Sequence, residues 1–177
     1  VYVVKLTPAV VAGGGSLNAT AQTVTITVTQ KASASTTVDA TTSTSILNSG
    51  ETNTATADAA GVTGSMTVPA TNDAAIGTIA VVLKNTAGTT QSGESYTAQV
   101  LSGPGLLGSG ASQTAAATGR SLLVKNTDYI TVWPDGSAGV ATITIVGVSS
   151  GVTLGVEKVT FYGAATALVA KLTTSAT

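Results

Sequence analysis

The sequence predicts an all-β protein made of tandem antiparallel β-sandwiches. Three observations predict it: apolar and polar residues alternate with a period of two, helix signals are scarce, and Gly, Pro, Asn and Asp cluster between the alternating runs. The clearest run is Thr23-Val24-Thr25-Ile26-Thr27-Val28-Thr29. Successive strand side chains point to opposite faces, so Val24, Ile26 and Val28 share one face and the threonines the other.

In chain order, strands are expected at residues 1–7, 23–29, 64–68, 76–84, 95–101, 121–125, 129–133, 140–146 and 156–162. The run Val140-Ala141-Thr142-Ile143-Thr144-Ile145-Val146 repeats the alternation of residues 23–29. The connections have turn chemistry: Gly13-Gly14-Gly15, Asn48-Ser49-Gly50, Asn72-Asp73, Gly103-Pro104-Gly105 and Pro134-Asp135-Gly136. The one Ala-rich stretch that resembles a helix, 111–118, lies between Gly110 and Gly119 and has no apolar residues recurring at helical spacing. Short strands joined in this way indicate sandwiches or barrels rather than βαβ units.

A seven-stranded sandwich takes about 100 residues, so 177 suit two shorter ones. Tyr2-Val3-Val4-Lys5-Leu6-Thr7 aligns with Leu168-Val169-Ala170-Lys171-Leu172-Thr173, and more loosely with Ala80-Val81-Val82-Leu83-Lys84-Asn85. If each copy opens a module, the modules are 1–75 and 76–163. Residues 164–177 then begin a further module or supply an exchanged strand.

The composition is that of small residues: 34 Thr, 28 Ala, 20 Gly and 17 Ser make up more than half the chain. Only 8 % of residues are charged and the net charge is −1, which gives no electrostatic basis for binding nucleic acid or an acidic membrane. The 22 Val, 12 Leu and 7 Ile supply enough apolar surface to favour a packed fold over disorder. No uninterrupted apolar stretch approaches 18 residues, so no membrane insertion is expected. The chain starts at Val1 without a charged leader, and a mature or internal piece of a longer protein is expected.

With no Cys and no His, the chain cannot form a disulfide, a thiolate or imidazole metal site, a Ser-His-Asp triad or a Cys-His dyad. No enzyme activity and no catalytic residues are expected. Gly103-Pro104-Gly105-Leu106-Leu107-Gly108 matches G-x-G-x-x-G, with Asp128 where a ribose-binding acid would fall. The following Ser109-Gly110-Ala111-Ser112 is a poor helix start, which argues against a dinucleotide site. The eight acids are scattered and no cofactor is expected. Calcium at a module junction could use Asp58, Asp73 or Asp135 with carbonyl oxygens.

The segment Ser95-Tyr96-Thr97-Ala98-Gln99-Val100-Leu101-Ser102-Gly103-Pro104-Gly105, the hairpin Asp135-Gly136-Ser137-Ala138-Gly139-Val140-Ala141 and the strand Val159-Thr160-Phe161-Tyr162-Gly163 carry a family resemblance. Over residues 76–163 the chain resembles the bacterial immunoglobulin-like domains of surface-layer proteins and large adhesins. The resemblance implies immunoglobulin-like sandwiches, an extracellular, cell-surface location and a structural role.

Trp133, Tyr129, Phe161 and Tyr162 are four of the six aromatic residues. They are expected to fill the core, with a sugar-binding platform as the sharper alternative. Asn18-Ala19-Thr20 is the single N-glycosylation sequon, making Asn18 the candidate acceptor, and the Thr/Ser clusters at 33–37, 41–45 and 52–56 are candidates for O-linked glycans. The ladder of threonines at 23–29 is expected to face outward or toward another subunit. A sheet protein with so few charged gatekeepers is suited to association. The expected function is therefore a non-catalytic extracellular structural protein that self-assembles into a surface layer or filament, with itself as main partner. The alternative is a stalk or tip segment of an adhesin or phage surface fibre that binds glycan or host protein.

Overall fold

A computed structural model describes residues 2–6, 21–28, 35–71, 74–90 and 93–164. The chain divides into two units, Val1–Ser33 and Ala34–Thr177. Among the described residues there is no helix, and the strands form antiparallel pairs with one exception.

The first unit is a hairpin of β1 (Tyr2–Leu6) and β2 (Gln22–Ile26). Its register pairs Val4 with Val24, Leu6 with Gln22, Val3 with Thr25 and Lys5 with Thr23. Val4, Leu6, Val24 and Ile26 thus share one side while Thr23 and Thr25 share the other with Val3 and Lys5. The apolar side is uncovered: Val4, Leu6, Val24 and Ile26 are 45–59 % exposed.

The described residues of the second unit form ten strands in two five-stranded sheets. The first sheet has the order β3 (Thr44–Ser49), β5 (Gly77–Val82), β10 (Tyr129–Trp133), β7 (Leu106–Gly110), β8 (Ala117–Gly119). The second runs β4 (Thr63–Ser65), β12 (Thr153–Tyr162), β11 (Gly139–Gly147), β6 (Tyr96–Ser102), β9 (Ser121–Val124). The exception to antiparallel pairing is β4, which runs parallel to β12.

The alternation read from the sequence becomes burial here. Ala141, Ile143 and Ile145 of β11, Tyr96, Ala98 and Val100 of β6, and Val159 and Phe161 of β12 point inward. They join Leu47, Ile79, Val81, Leu107, Ile130 and Val132 of the first sheet in one core, which makes the architecture sandwich-like. Thr131 and Trp133, on the outward side of β10, are buried as well. Residues 111–116 lie over that face, where the Ala115 carbonyl accepts from Thr131 Oγ1 (2.7 Å) and Trp133 Nε1 (3.0 Å).

The chain passes from β6 to β7, and so between sheets, through Gly103-Pro104-Gly105. Gly103 and Gly105 have φ of +81° and +111°, a region that side chains other than glycine rarely adopt. A Cβ on Gly103 would also run into the Val140 carbonyl.

The expected module boundary at about residue 75 falls inside this sandwich-like body. β3 and β4 precede it in sequence, yet β3 pairs with β5 and β4 with β12. The reason is burial: Leu47 and Val62 lie in the common core, which they reach only through sheets made largely by later residues. The expected third segment, 164–177, lies beyond residue 164 almost wholly outside the described residues.

Candidate association surface

The outward positions of the second sheet form one continuous face. Moving from β12 to β9, the register places Tyr162 beside Ser65, Val140 beside Thr160, Thr142 beside Lys158, Thr144 between Val156 and Gln99, and Thr97 beside Leu123. Leu123, Leu101, Tyr162, Val156 and Val140 are 52–69 % exposed. Lys158 is the one charged side chain among these outward strand positions. Threonine fills most of the remainder, with Ser65 and Gln99, because β-branched residues suit a pleated surface, and the face is consequently near-neutral and part apolar.

The edges of the two sheets differ. Beside β3 the chain turns back, and Leu47 N–H donates to Asp58 Oδ1 (3.0 Å) while Ala59 N–H donates to the Leu47 carbonyl (2.8 Å). That edge is covered by the protein's own backbone. On the other sheet β9 is the last strand, four residues long, with Leu123 pointing outward.

Of the acids expected as calcium ligands, Asp58 and Asp135 serve other partners. Asp135 Oδ2 accepts from Gly105 N–H (2.8 Å) and lies 3.6 Å from Arg120 Nη1, while Oδ1 accepts from Ser137 N–H (2.9 Å). Burial works against the charge on Asp135, but these hydrogen bonds and the Arg120 guanidinium outweigh it and hold the carboxyl below the ordinary aspartate range. Asp58 caps β3 as above, and Asp73 lies outside the described residues. Among the described residues no three His, Cys, Asp or Glu side chains gather to hold a metal.

Among the described residues one carboxylate is buried. Glu157 on β12 is 4 % exposed and accepts from Ser45 Oγ on β3. Burial raises its pKa, the Ser45 hydrogen bond opposes this, and the nearby charge of Asp58 adds to the rise. A cavity of about 370 Å³ opens here between β3 and β12.

The G-x-G-x-x-G match lacks the geometry of a dinucleotide site. Leu106–Gly110 is the strand β7, so no helix N-terminus follows the glycines, and Asp128 sits in a turn whose carbonyl accepts from Tyr96 Oη (2.7 Å). Trp133 (3 % exposed) and Phe161 (1 %) are buried, which rules them out as a sugar platform. Tyr162 is exposed and Tyr129 half-buried. Asn18, the candidate glycan acceptor, lies outside the described residues. Within the hydroxyl clusters, Thr52, Thr54 and Thr56 are exposed, whereas Ser43 is buried and donates to the Lys84 carbonyl.

Sequence reading missed one grouping. Asn53 Nδ2 donates to Tyr129 Oη (2.7 Å), and the two residues line a groove with Asn126, Thr127 and Asp128. Their separation along the chain leaves no local pattern that would have marked it. No family model and no curated protein matches this chain.

Proposed function

We propose that the protein is a non-catalytic, extracellular structural protein whose immunoglobulin-like modules self-assemble into a surface layer or filament. The immunoglobulin-like reading is supported by strand order. In the constant-type immunoglobulin fold one sheet runs A-B-E-D and the other C-F-G. Assigning β3, β5, β10 and β7 to A, B, E and D, and β6, β11 and β12 to C, F and G, reproduces both orders. β4, β8 and β9 are then added edge strands.

The observation that carries the assembly reading is the outer face of the second sheet, which presents five exposed large apolar side chains and a single charge. Exposed apolar side chains gathered on one sheet face mark interaction sites, and isolated sheet proteins normally interrupt such a face with more charges than this one has. The hairpin of the first unit supports the same reading. A two-stranded hairpin is marginal in water, and the apolar side of this one gains stability when a partner covers it. Recurrence of the residue 2–7 pattern at 168–173 supports a repeating, end-to-end arrangement.

The test is sedimentation of the full chain across a wide concentration range, with and without calcium, together with negative-stain microscopy. Ordered sheets or fibres are the expected result. A monomer under every condition would overturn the proposal.

A further inference from the structure

The outer face of the first sheet carries a groove distinct from the association surface. Its floor is Ala80 and Val82 of β5, which alternate with the core residues Ile79 and Val81 and so point outward. Its walls are Asn53 on one side and Asn126, Thr127, Asp128 and Tyr129 on the other, joined by the hydrogen bond from Asn53 Nδ2 to Tyr129 Oη (2.7 Å), around a cavity of about 300 Å³.

Both walls are held from behind. Tyr96 is fully buried and donates its hydroxyl to the Asp128 carbonyl (2.7 Å). Burial, and then the charge of Asp128, push that hydroxyl above its ordinary pKa, so it remains a donor at all working pH values. Asp128 N–H closes the turn onto the Lys125 carbonyl (3.0 Å), and Tyr129 enters the ladder opposite Gly110. On the other side, Thr78 Oγ1 donates to the Gly50 carbonyl (2.9 Å), Thr52 Oγ1 to the Ser49 carbonyl (3.1 Å), and Ala55 N–H to Asn48 Oδ1 (2.9 Å). These bonds fix the segment that delivers Asn53. Polar groups fixed in this way lose little entropy when a ligand arrives.

We infer that this groove binds a neutral saccharide. The groove offers an aromatic ring, two amides and one carboxylate around an apolar floor. Amides both donate and accept, and a carboxylate accepts from paired hydroxyls, which is the complement of a polyol. The Tyr129 ring and the Val82 and Ala80 side chains suit the apolar C–H face of a sugar. Among the described residues no Lys or Arg lines the groove and Asp128 is its one carboxylic acid, so anionic ligands are disfavoured. The inference does not rest on the assembly proposal. The groove's floor belongs to the first sheet and the association surface to the second, so the two are separate sets of residues.

The experiment is a ¹H–¹⁵N titration of the full chain with neutral probes, lactose, maltose, cellobiose and methyl mannoside, at up to tens of millimolar. Saturable shifts are expected at the amides of 53 and 126–129. Binding should weaken about tenfold or more in Asn53→Ala and Asp128→Asn, with both variants still folding cooperatively and Asn53→Ala lowered slightly in melting temperature by loss of its bond to Tyr129. Tyr129→Phe keeps the ring and should lose only the contribution of the hydroxyl. Absence of shifts with all four probes, shifts elsewhere in the molecule, or binding indifferent to both variants would each overturn the inference. Stronger binding of sialyllactose or inorganic phosphate than of the neutral sugars would overturn it too.

Discussion

Arg120 and Asp135 meet at 3.6 Å across the turn that carries the chain between the two sheets. Arg120 also donates to the Gly103 carbonyl (2.7 Å) and the Gly105 carbonyl (3.2 Å), while Asp135 accepts from Gly105 N–H. The two side chains therefore clamp both polar sides of a glycine turn whose backbone has few other partners. The ion pair is partly exposed and adds little by itself, so the hydrogen bonds carry the effect. Asp135→Ala should cost about 2 kcal/mol and Arg120→Ala about 1 kcal/mol, and the double variant should cost less than the sum. Urea unfolding at pH 7 measures all three. The folded-state pKa of Asp135 is depressed, so its contribution is present above the unfolded value near 3.9 and is lost as pH falls through the folded one.

Glu157 should behave oppositely. Its folded pKa is raised, so the native state holds a proton more tightly than the unfolded chain does. Stability from this group is greatest below the unfolded value near 4.3 and declines as pH rises through the raised folded value. Glu157→Gln preserves the acceptor for Ser45 Oγ and removes the buried charge. At pH 7 the variant should be more stable than the parent by about 1 kcal/mol, and the decline with pH should flatten. Thermal unfolding between pH 4 and pH 8 is the measurement.

Trp133 is the sole tryptophan and reports on the cover formed by residues 111–116. Trp133→Ala should destabilise by about 3–5 kcal/mol, because it empties a packed site. Trp133→Phe should cost about 1–2 kcal/mol, since it leaves the indole's acceptors, Ala115 O and Thr131 Oγ1, with one donor fewer. Emission from the native protein should be blue-shifted and should move to the red in a single step on unfolding.

The association surface is tested by charge. Leu123→Lys with Val156→Lys places two cations on a face that now holds one, at positions exposed by more than half. Folding stability should change by no more than about 0.5 kcal/mol per site. Association should weaken by about tenfold or more, and added salt should restore part of it by screening. Sedimentation velocity against ionic strength measures both effects.

Strands with strong local alternation were legible in the sequence. The run 140–146 became β11, with Ala141, Ile143 and Ile145 inward, and the run 129–133 became β10 at the bounds expected. Three strands were not. β3 begins in the Thr/Ser cluster 41–45 and ends in the Asn48-Ser49-Gly50 turn signal, β7 is Leu-Leu-Gly-Ser-Gly and overlaps the G-x-G-x-x-G match, and β8 is three residues long. Each is a strand because of its partner: Leu47 lies opposite Ile79, and Leu107 opposite Val132 and Gly119. The ladder supplies hydrogen bonds that local propensity does not encode.

By itself, the sequence determined the class of the protein. Period-2 alternation dictates strands, the Gly, Pro and Asp clusters dictate where they reverse, and the absence of Cys and His removes whole classes of chemistry. These are properties of neighbouring residues and of composition, and no fold is needed to state them. Tertiary structure decided what depends on distant partners. It drew β3 and β4 into the same body as β5 and β12, across the boundary expected at residue 75. It buried Trp133 beneath residues 111–116 and set Asn53 against Tyr129, 76 positions away. The physical reason is that pairing and burial are settled by which surfaces meet, and contacts between residues so far apart leave no periodic trace in the chain.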